Sequence, residues 1–332
     1  MIKKWKGEPK TLLILDGGGL FFPPLARPPS EGRKTVLNLK ARAVVAAFNN
    51  IGCDAVTIGE NDLLFGKKEL LEIMKGAEFP AVSSNLVDAR SGAELFEPYI
   101  IKRVDGLRVG IFGLFPEIQG GEGDRFRGLA VLDPFRTARR MVSTLTEKTD
   151  FVILLSHLGY TRDLELARKV GGINVIVGGR SGINLSYPRI IGRTMVLHVG
   201  KKGRYLGRVD IALRDPSRPF VNVTTRAMLR DRLQHIETQL KALARQPLQN
   251  PAETRRRREV LESRRVETER IIGLYQGYNE IRNRIVPLVD SVPGDAECGE
   301  ILKPYLEQIS AAEKASSPRA ARSEGAAGNK SE

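Results

Sequence analysis

Asp54-Ala55-Val56-Thr57-Ile58-Gly59-Glu60-Asn61-Asp62 is a short apolar run stopped by a glycine and followed by three polar side chains. Its length and β-branched residues fit a buried strand, and the break at Gly59 sets Glu60, Asn61 and Asp62 in the loop at the strand's carboxyl end. The pattern recurs. Leu12-Leu13-Ile14-Leu15 runs into Asp16-Gly17-Gly18-Gly19, residues 151–155 into Ser156-His157-Leu158-Gly159, and residues 175–177 into Gly178-Gly179-Arg180-Ser181-Gly182. Between these strands lie helical patterns. Val36, Leu39, Ala43, Val44, Ala47 and Phe48 recur at helical spacing over 35–51, and residues 67–74, 134–148 and 161–170 read as further helices. Residues 81–84 form a short strand. Asp105-Gly106 between two apolar runs predicts a hairpin of residues 99–104 with 107–114. Strands at 194–199 and 206–213 close the region. This mixture of βαβ steps and a hairpin predicts an α/β fold with mixed sheets over residues 1–215. In such folds ligands sit at the carboxyl ends of the strands, where the four polar loops fall.

The pattern changes beyond residue 215. Leu229, Leu233, Ile236, Leu240 and Leu243 step by four and three, and Pro251 restarts a helix in a favoured first-turn position. With Leu274, Tyr278, Ile281 and Ile285 on the second helix, the sequence predicts a basic helical hairpin over 224–290. Its run Arg255-Arg256-Arg257-Arg258 reads as a solvated helix face or as a contact for an anion or membrane surface. A short helix capped by Asp295 is expected over 291–310, and a disordered tail over 311–332.

The 332 residues suffice for one large α/β domain with an appendage. Lysine and arginine number 53 against 39 acidic residues, a net charge of +14. Such a balance favours an anionic small molecule or nucleotide as partner, or simply a solvated basic surface. An aromatic content of 6%, with no zinc-finger spacing, argues against nucleic acid. Only two cysteines are present, so no disulfide framework is expected; Cys53 reads as a small buried hydrophobe or a reactive thiol. No apolar run is long enough for a transmembrane segment, and the apolar stretch near the basic N-terminus is too short for a signal sequence. The chain taken as it stands is expected in the cytoplasm.

The glycine-marked turns, in their order, carry a resemblance. Together with Ser84-Asn85-Leu86, the stretch Pro98-Tyr99-Ile100-Ile101-Lys102-Arg103-Val104-Asp105-Gly106, Leu155-Ser156-His157-Leu158-Gly159 and Tyr205-Leu206-Gly207-Arg208-Val209-Asp210, they are similar to motifs of the 5′-nucleotidase and UDP-sugar hydrolase family of metallophosphoesterases. The resemblance covers roughly residues 10–213. It implies the αββα sandwich of that fold, with two adjacent divalent metals that activate a water for attack on phosphorus.

Carried over residue by residue, the resemblance implies a depleted site. The family's bridging aspartate falls at Gly19, its metal-binding asparagine at Glu60 and its catalytic histidine at Asn61. Two further histidine ligands fall at Arg180 and Gly182. Only His157 keeps its identity, leaving His157, Glu60 and Asp62 as candidate metal ligands, and Arg180 and Asn85 as candidates to bind substrate or another anion. His157 reads either as a hydrogen-bonded strand-end residue or as a ligand to one metal. His198 reads as structural and His235 as exposed. Since the loops carrying Glu60 and Arg180 surround one site in the family, these residues are expected to pair beside His157.

The family's first strand has no counterpart here, and the chain resembles a branch that includes selenoproteins and exported proteins. That implies coding sequence upstream of Met1, in which case the protein is periplasmic or exported. Three functions are compatible: a catalytically degenerate phosphoesterase-like protein with a binding or assembly role; an active nucleotide hydrolase using Mn or Zn in a remodelled site; or an exported redox-linked protein. The helical hairpin is expected to lie either on the α/β domain or on another subunit, and is the candidate surface for a protein partner.

Overall fold

The structure is a computed structural model and describes residues 1–8, 11–25, 29–118, 124–245 and 250–316. In chain order its elements are α1 (Ile2–Lys6), β1 (Leu15–Asp16), α2 (Glu31–Ile51), β2 (Ala55–Thr57), α3 (Gly66–Met74), β3 (Ala81–Val82) and β4 (Leu86–Asp88). Next come β5 (Tyr99–Val104), β6 (Leu107–Leu114), β7 (Leu129–Val131), α4 (Pro134–Thr146), β8 (Phe151–Ser156), α5 (Tyr160–Lys169) and β9 (Val175–Gly178). The remainder is β10 (Arg189–Ile191), β11 (Thr194–His198), β12 (Tyr205–Ala212), β13 (Phe220–Asn222), α6 (Val223–Arg245), α7 (Pro251–Leu274), β14 (Asn279–Pro287) and α8 (Ala296–Ala315).

Strand periodicity builds the layers. Along β8, Val152 and Leu154 face one way, into a core shared with Ala138, Met141 and Leu145 of α4 and Leu166 of α5. Phe151, Ile153 and Leu155 face the other way and join Ala55 and Val82 of the small sheet. Side chains two apart share a face, so a strand apolar at every position must be covered on both sides. The six-stranded sheet, in order β10-β11-β9-β8-β6-β5, is therefore sandwiched between helices and the parallel sheet β1-β2-β3. The outer face of the small sheet packs on α2 and α3 through Val56, Ile58, Leu37, Ala41, Val45 and Leu70. Helix, sheet, sheet, helix is the expected αββα arrangement. The β5–β6 hairpin pairs Val104 with Leu107 around Asp105-Gly106, as the sequence predicts.

The C-terminal third departs from the sequence reading. Helices α6 and α7 do pack together, and Ile236, Leu243 and Leu261 are buried along them. The second helix, however, ends at Leu274, and residues 279–287 form a strand instead of its continuation. Ile281 and Ile285 are four apart, a spacing that suits a helix face and also one face of a strand. Gly277, at φ +79°, turns the chain, and β14 then pairs antiparallel with β12 and parallel with β13. The final helix is longer than expected, running from Ala296 to Ala315 with the Asp295 side chain accepting from the Cys298 amide. It thus takes in the first residues of the expected tail; 317–332 lie outside the described residues. Arg255 to Arg258 are all exposed on α7.

Asn279 makes the β12–β13–β14 sheet possible. Fully buried, it accepts from the amides of Arg214 and Asp215 and donates to the carbonyls of Asp215 and Arg218, holding the loop that links β12 to β13. Asn279→Ala would leave those backbone groups without partners. It is expected to lower stability in urea unfolding by at least about 2 kcal/mol, given roughly 1–3 kcal/mol for each buried group left unpaired.

Candidate functional site

Strands β1, β2, β8 and β9 deliver their loops to one rim, and Asp62 fastens two of them. Its buried carboxylate accepts from the amides of Gly19 (2.9 Å), Phe21 (2.9 Å) and Gly59 (2.8 Å). A carboxylate at this turn serves the backbone as a cap serves a helix, by satisfying donors that have no other partner. Burial pushes the Asp62 carboxyl up, against the pull of those three amides.

His157 fills the centre. Its Nδ1 lies 2.7 Å from the Gly17 carbonyl oxygen, which only accepts, so Nδ1 carries a proton. Glycines surround the ring. A Cβ added at Gly59 would lie 2.5 Å from Nε2, one at Gly19 2.9 Å from Cε1, and one at Gly179 2.9 Å from Nδ1. Gly19 also has φ +74°, a conformation that side chains disfavour. The imidazole therefore occupies the space that a carboxylate at position 19 would require.

Glu60 and Arg180 come together beside this ring. Arg180 Nε donates to Glu60 Oε1 at 2.8 Å, and His157 Nε2 lies 3.2 Å from Glu60 Oε2, off the axis of a directed hydrogen bond. Burial works to raise the Glu60 carboxyl, but His157 and then Arg180 outweigh it and hold the group at about 2. Burial likewise opposes charge on His157, yet the Glu60 carboxylate and the Gly17 carbonyl raise its pKa above the ordinary value. Arg180 itself has φ +65°, a strained conformation for a residue with a side chain.

The other predicted residues fall out differently. Asn61 sits in the 3-10 turn Glu60–Leu63, and its neutral amide cannot serve as a general acid. Asn85 is not an anion contact. It is fully buried, accepts from the Phe115 amide and donates to the carbonyls of Phe115 and Leu132, so its polar atoms are spent on backbone. Asp62 is likewise committed to amides. Gly182 lies on the rim at φ +67°, with the Lys201 side chain beside it. The sequence reading passed over Asp16, whose carboxylate accepts from the Gly18 amide and is raised to about 6, chiefly by burial. It also took His198 as merely structural, whereas that ring bridges Asp163 and Ser181. The partner of His198 lies on α5, 35 residues upstream, a contact that a single sequence does not display, whereas Asp16 bonds within its own turn.

These residues do not fit a pair of metals. Asp62 is committed to three amides, Glu60 is paired with a guanidinium, and the imidazole occupies the cradle. Among the described residues, no group of three or more His, Cys, Asp and Glu is placed to hold a metal ion.

With this geometry in view, known structures place the architecture. A sulfate thiohydrolase, SoxB, from Thermus thermophilus aligns with 89% of the chain at TM-score 0.61 and 20% identity, covering 42% of that protein. Calcineurin-like phosphoesterase YfkN from Bacillus subtilis aligns with 90% at TM-score 0.54 and 16% identity, covering 83% of that structure. The fold is that of the calcineurin-like phosphoesterases. Its sequence relatives are nucleotide phosphoesterases. The trifunctional nucleotide phosphoesterase YfkN of Bacillus subtilis is 28% identical over 64% of this chain, and a 5′-nucleotidase of Vibrio cholerae 28% identical over 51%. The chain spans 16% and 36% of the lengths of these two relatives. No family model matches it.

Two measurements check the pairing. The Arg180 side chain keeps 39% of its surface in water and Glu60 17%. Arg180→Ala is therefore expected to cost about 1–2 kcal/mol in urea unfolding, below the roughly 3–5 kcal/mol of a fully buried pair. Stability should also follow pH in both directions. Glu60, depressed on folding, contributes fully above its ordinary 4.5 and loses that contribution as pH falls toward 2. His157, raised on folding, contributes fully below 6.5 and loses it as pH rises through its folded value. The part of the thermal stability that is lost in Glu60→Gln should be greatest between 4.5 and 6.5 and shrink on both sides.

Proposed function

We propose that this chain has given up the two-metal phosphoester chemistry of its relatives and acts as a binding module for an anionic small molecule or nucleotide. The observation that carries this reading is the Glu60–Arg180 pair closed over His157. A guanidinium stands where the resemblance puts a histidine ligand, and a carboxylate where it puts an asparagine. Arg180 bonds Glu60 through Nε, and the rest of its partly exposed guanidinium reaches the rim, where its planar donors suit an anion without a metal. The net charge of +14 adds long-range attraction for anions. The α6–α7 hairpin, basic and outside the sandwich, is the proposed surface for a protein partner.

The test is a pair of measurements on the full chain. After dialysis against Mn and Zn, metal analysis should find less than one equivalent bound, and hydrolysis of 5′-nucleotides should stay at background. Two equivalents of metal with nucleotide turnover would instead give the chain a working hydrolase site of the 5′-nucleotidase type.

A further inference from the structure

A second constellation stands on the same rim and involves no metal. The register of β9 sets Gly178 between Ser156 of β8 and His198 of β11. Gly178 must lack a side chain: a Cβ there would lie 2.1 Å from His198 Nε2 and 2.5 Å from Asp163 Oδ2. Across that gap His198 Nε2 meets Asp163 Oδ2 at 2.8 Å, while His198 Nδ1 meets Ser181 Oγ at 3.0 Å. His198 and Asp163 are buried, and Ser181 is exposed on the loop after β9.

The proton positions in this chain are set by its ends. The Leu158 amide donates to Ser156 Oγ at 3.2 Å, so the Ser156 hydroxyl donates to Asp163 Oδ1, 2.5 Å away. Asp163 Oδ2 then accepts from His198 Nε2–H, which leaves Nδ1 as a bare lone pair. The Ile183 amide lies 3.4 Å from Ser181 Oγ and takes one of its lone pairs, leaving the hydroxyl proton free to point at Nδ1 of the neutral ring. A serine hydroxyl aimed at an unprotonated imidazole nitrogen, with the far nitrogen held by a buried carboxylate, is the arrangement that activates a nucleophile, here with the two ring nitrogens exchanged relative to the usual order. The strained residue Arg180 precedes the serine, and Lys201 lies beside the next residue, Gly182.

We propose that Ser181, His198 and Asp163 form a metal-independent acyl-transfer site that hydrolyses carboxylic esters, preferring those with an anionic group that Arg180 and Lys201 attract. Ser181 Oγ bonds to the carbonyl carbon as its proton passes to His198 Nδ1. The carbon–oxygen bond to the alcohol breaks, and Nδ1–H returns the proton to the departing alkoxide. Water then adds to the acyl-serine by the same proton path, releasing the acid and restoring the hydroxyl. Asp163 positions the imidazole and does not touch the ester. This inference goes beyond the binding role proposed above and is independent of metal content.

The full chain, held in EDTA, is treated with a fluorophosphonate probe, and hydrolysis of p-nitrophenyl acetate and of a p-nitrophenyl hemisuccinate is followed. One equivalent of adduct is expected on the peptide containing Ser181, with faster turnover of the hemisuccinate. Ser181→Ala, at an exposed position, should abolish both signals while circular dichroism stays unchanged. His198→Gln should slow labelling by about 10²–10⁴-fold, the usual contribution of a general base. Should that buried variant fail to fold, Ser181→Ala decides alone. Absence of an adduct on Ser181 in folded protein overturns the proposal, as does ester hydrolysis that survives Ser181→Ala.

Discussion

The imidazole of His157 is the object around which the strand-end loops close. Three chain segments, the turns after β1, β2 and β9, approach it so nearly that glycine is required at several points of contact. Such close packing of backbone on a ring is unforgiving, because interiors at this density have no slack into which a displaced group can move. The loops are fixed by the ring and by Asp62, and their remaining side chains inherit positions from that frame.

The frame also sets the charge balance. Here a carboxylate faces a guanidinium and an imidazole, and the two aspartates nearest the ring are turned to backbone amides. Low-dielectric surroundings make an unpaired charge costly, so exchanging one partner in such a site obliges the others to change. Glu60 and Arg180 act as one unit across the rim, and Arg180 does so from a backbone at φ +65°, a conformation that side chains disfavour.

Much of the sandwich was legible in the sequence because its strands are apolar throughout and end in glycine, a pattern with few other readings. The Glu60–Arg180 contact was legible too, once both residues were assigned to loops of one rim. Where sequence reading failed, the deciding partner lay far along the chain. Ile281 and Ile285 suit a helix or a strand, and only β12, far upstream, selects the strand. Asn85 has the polarity of a ligand contact, but Phe115 and Leu132 claim it. His198 and Asp163 lie on different elements, and only the packing of α5 against β11 brings them together. Local pattern names the element; long-range register names the neighbours.

Helix α8 joins the two ends of the described chain. It packs along α2, with Lys40 bonded to Glu313 and Lys3 bonded to Asp295 and Glu297, and Gly32 lies so near Ser316 that a Cβ there would clash with its hydroxyl. The outer surface of α2 thus waits for residues made 247 to 273 positions later. On the ribosome, the early half of the sandwich must persist with that helix bare until α8 emerges, an interval during which chaperones and neighbouring nascent chains have access to the same surface.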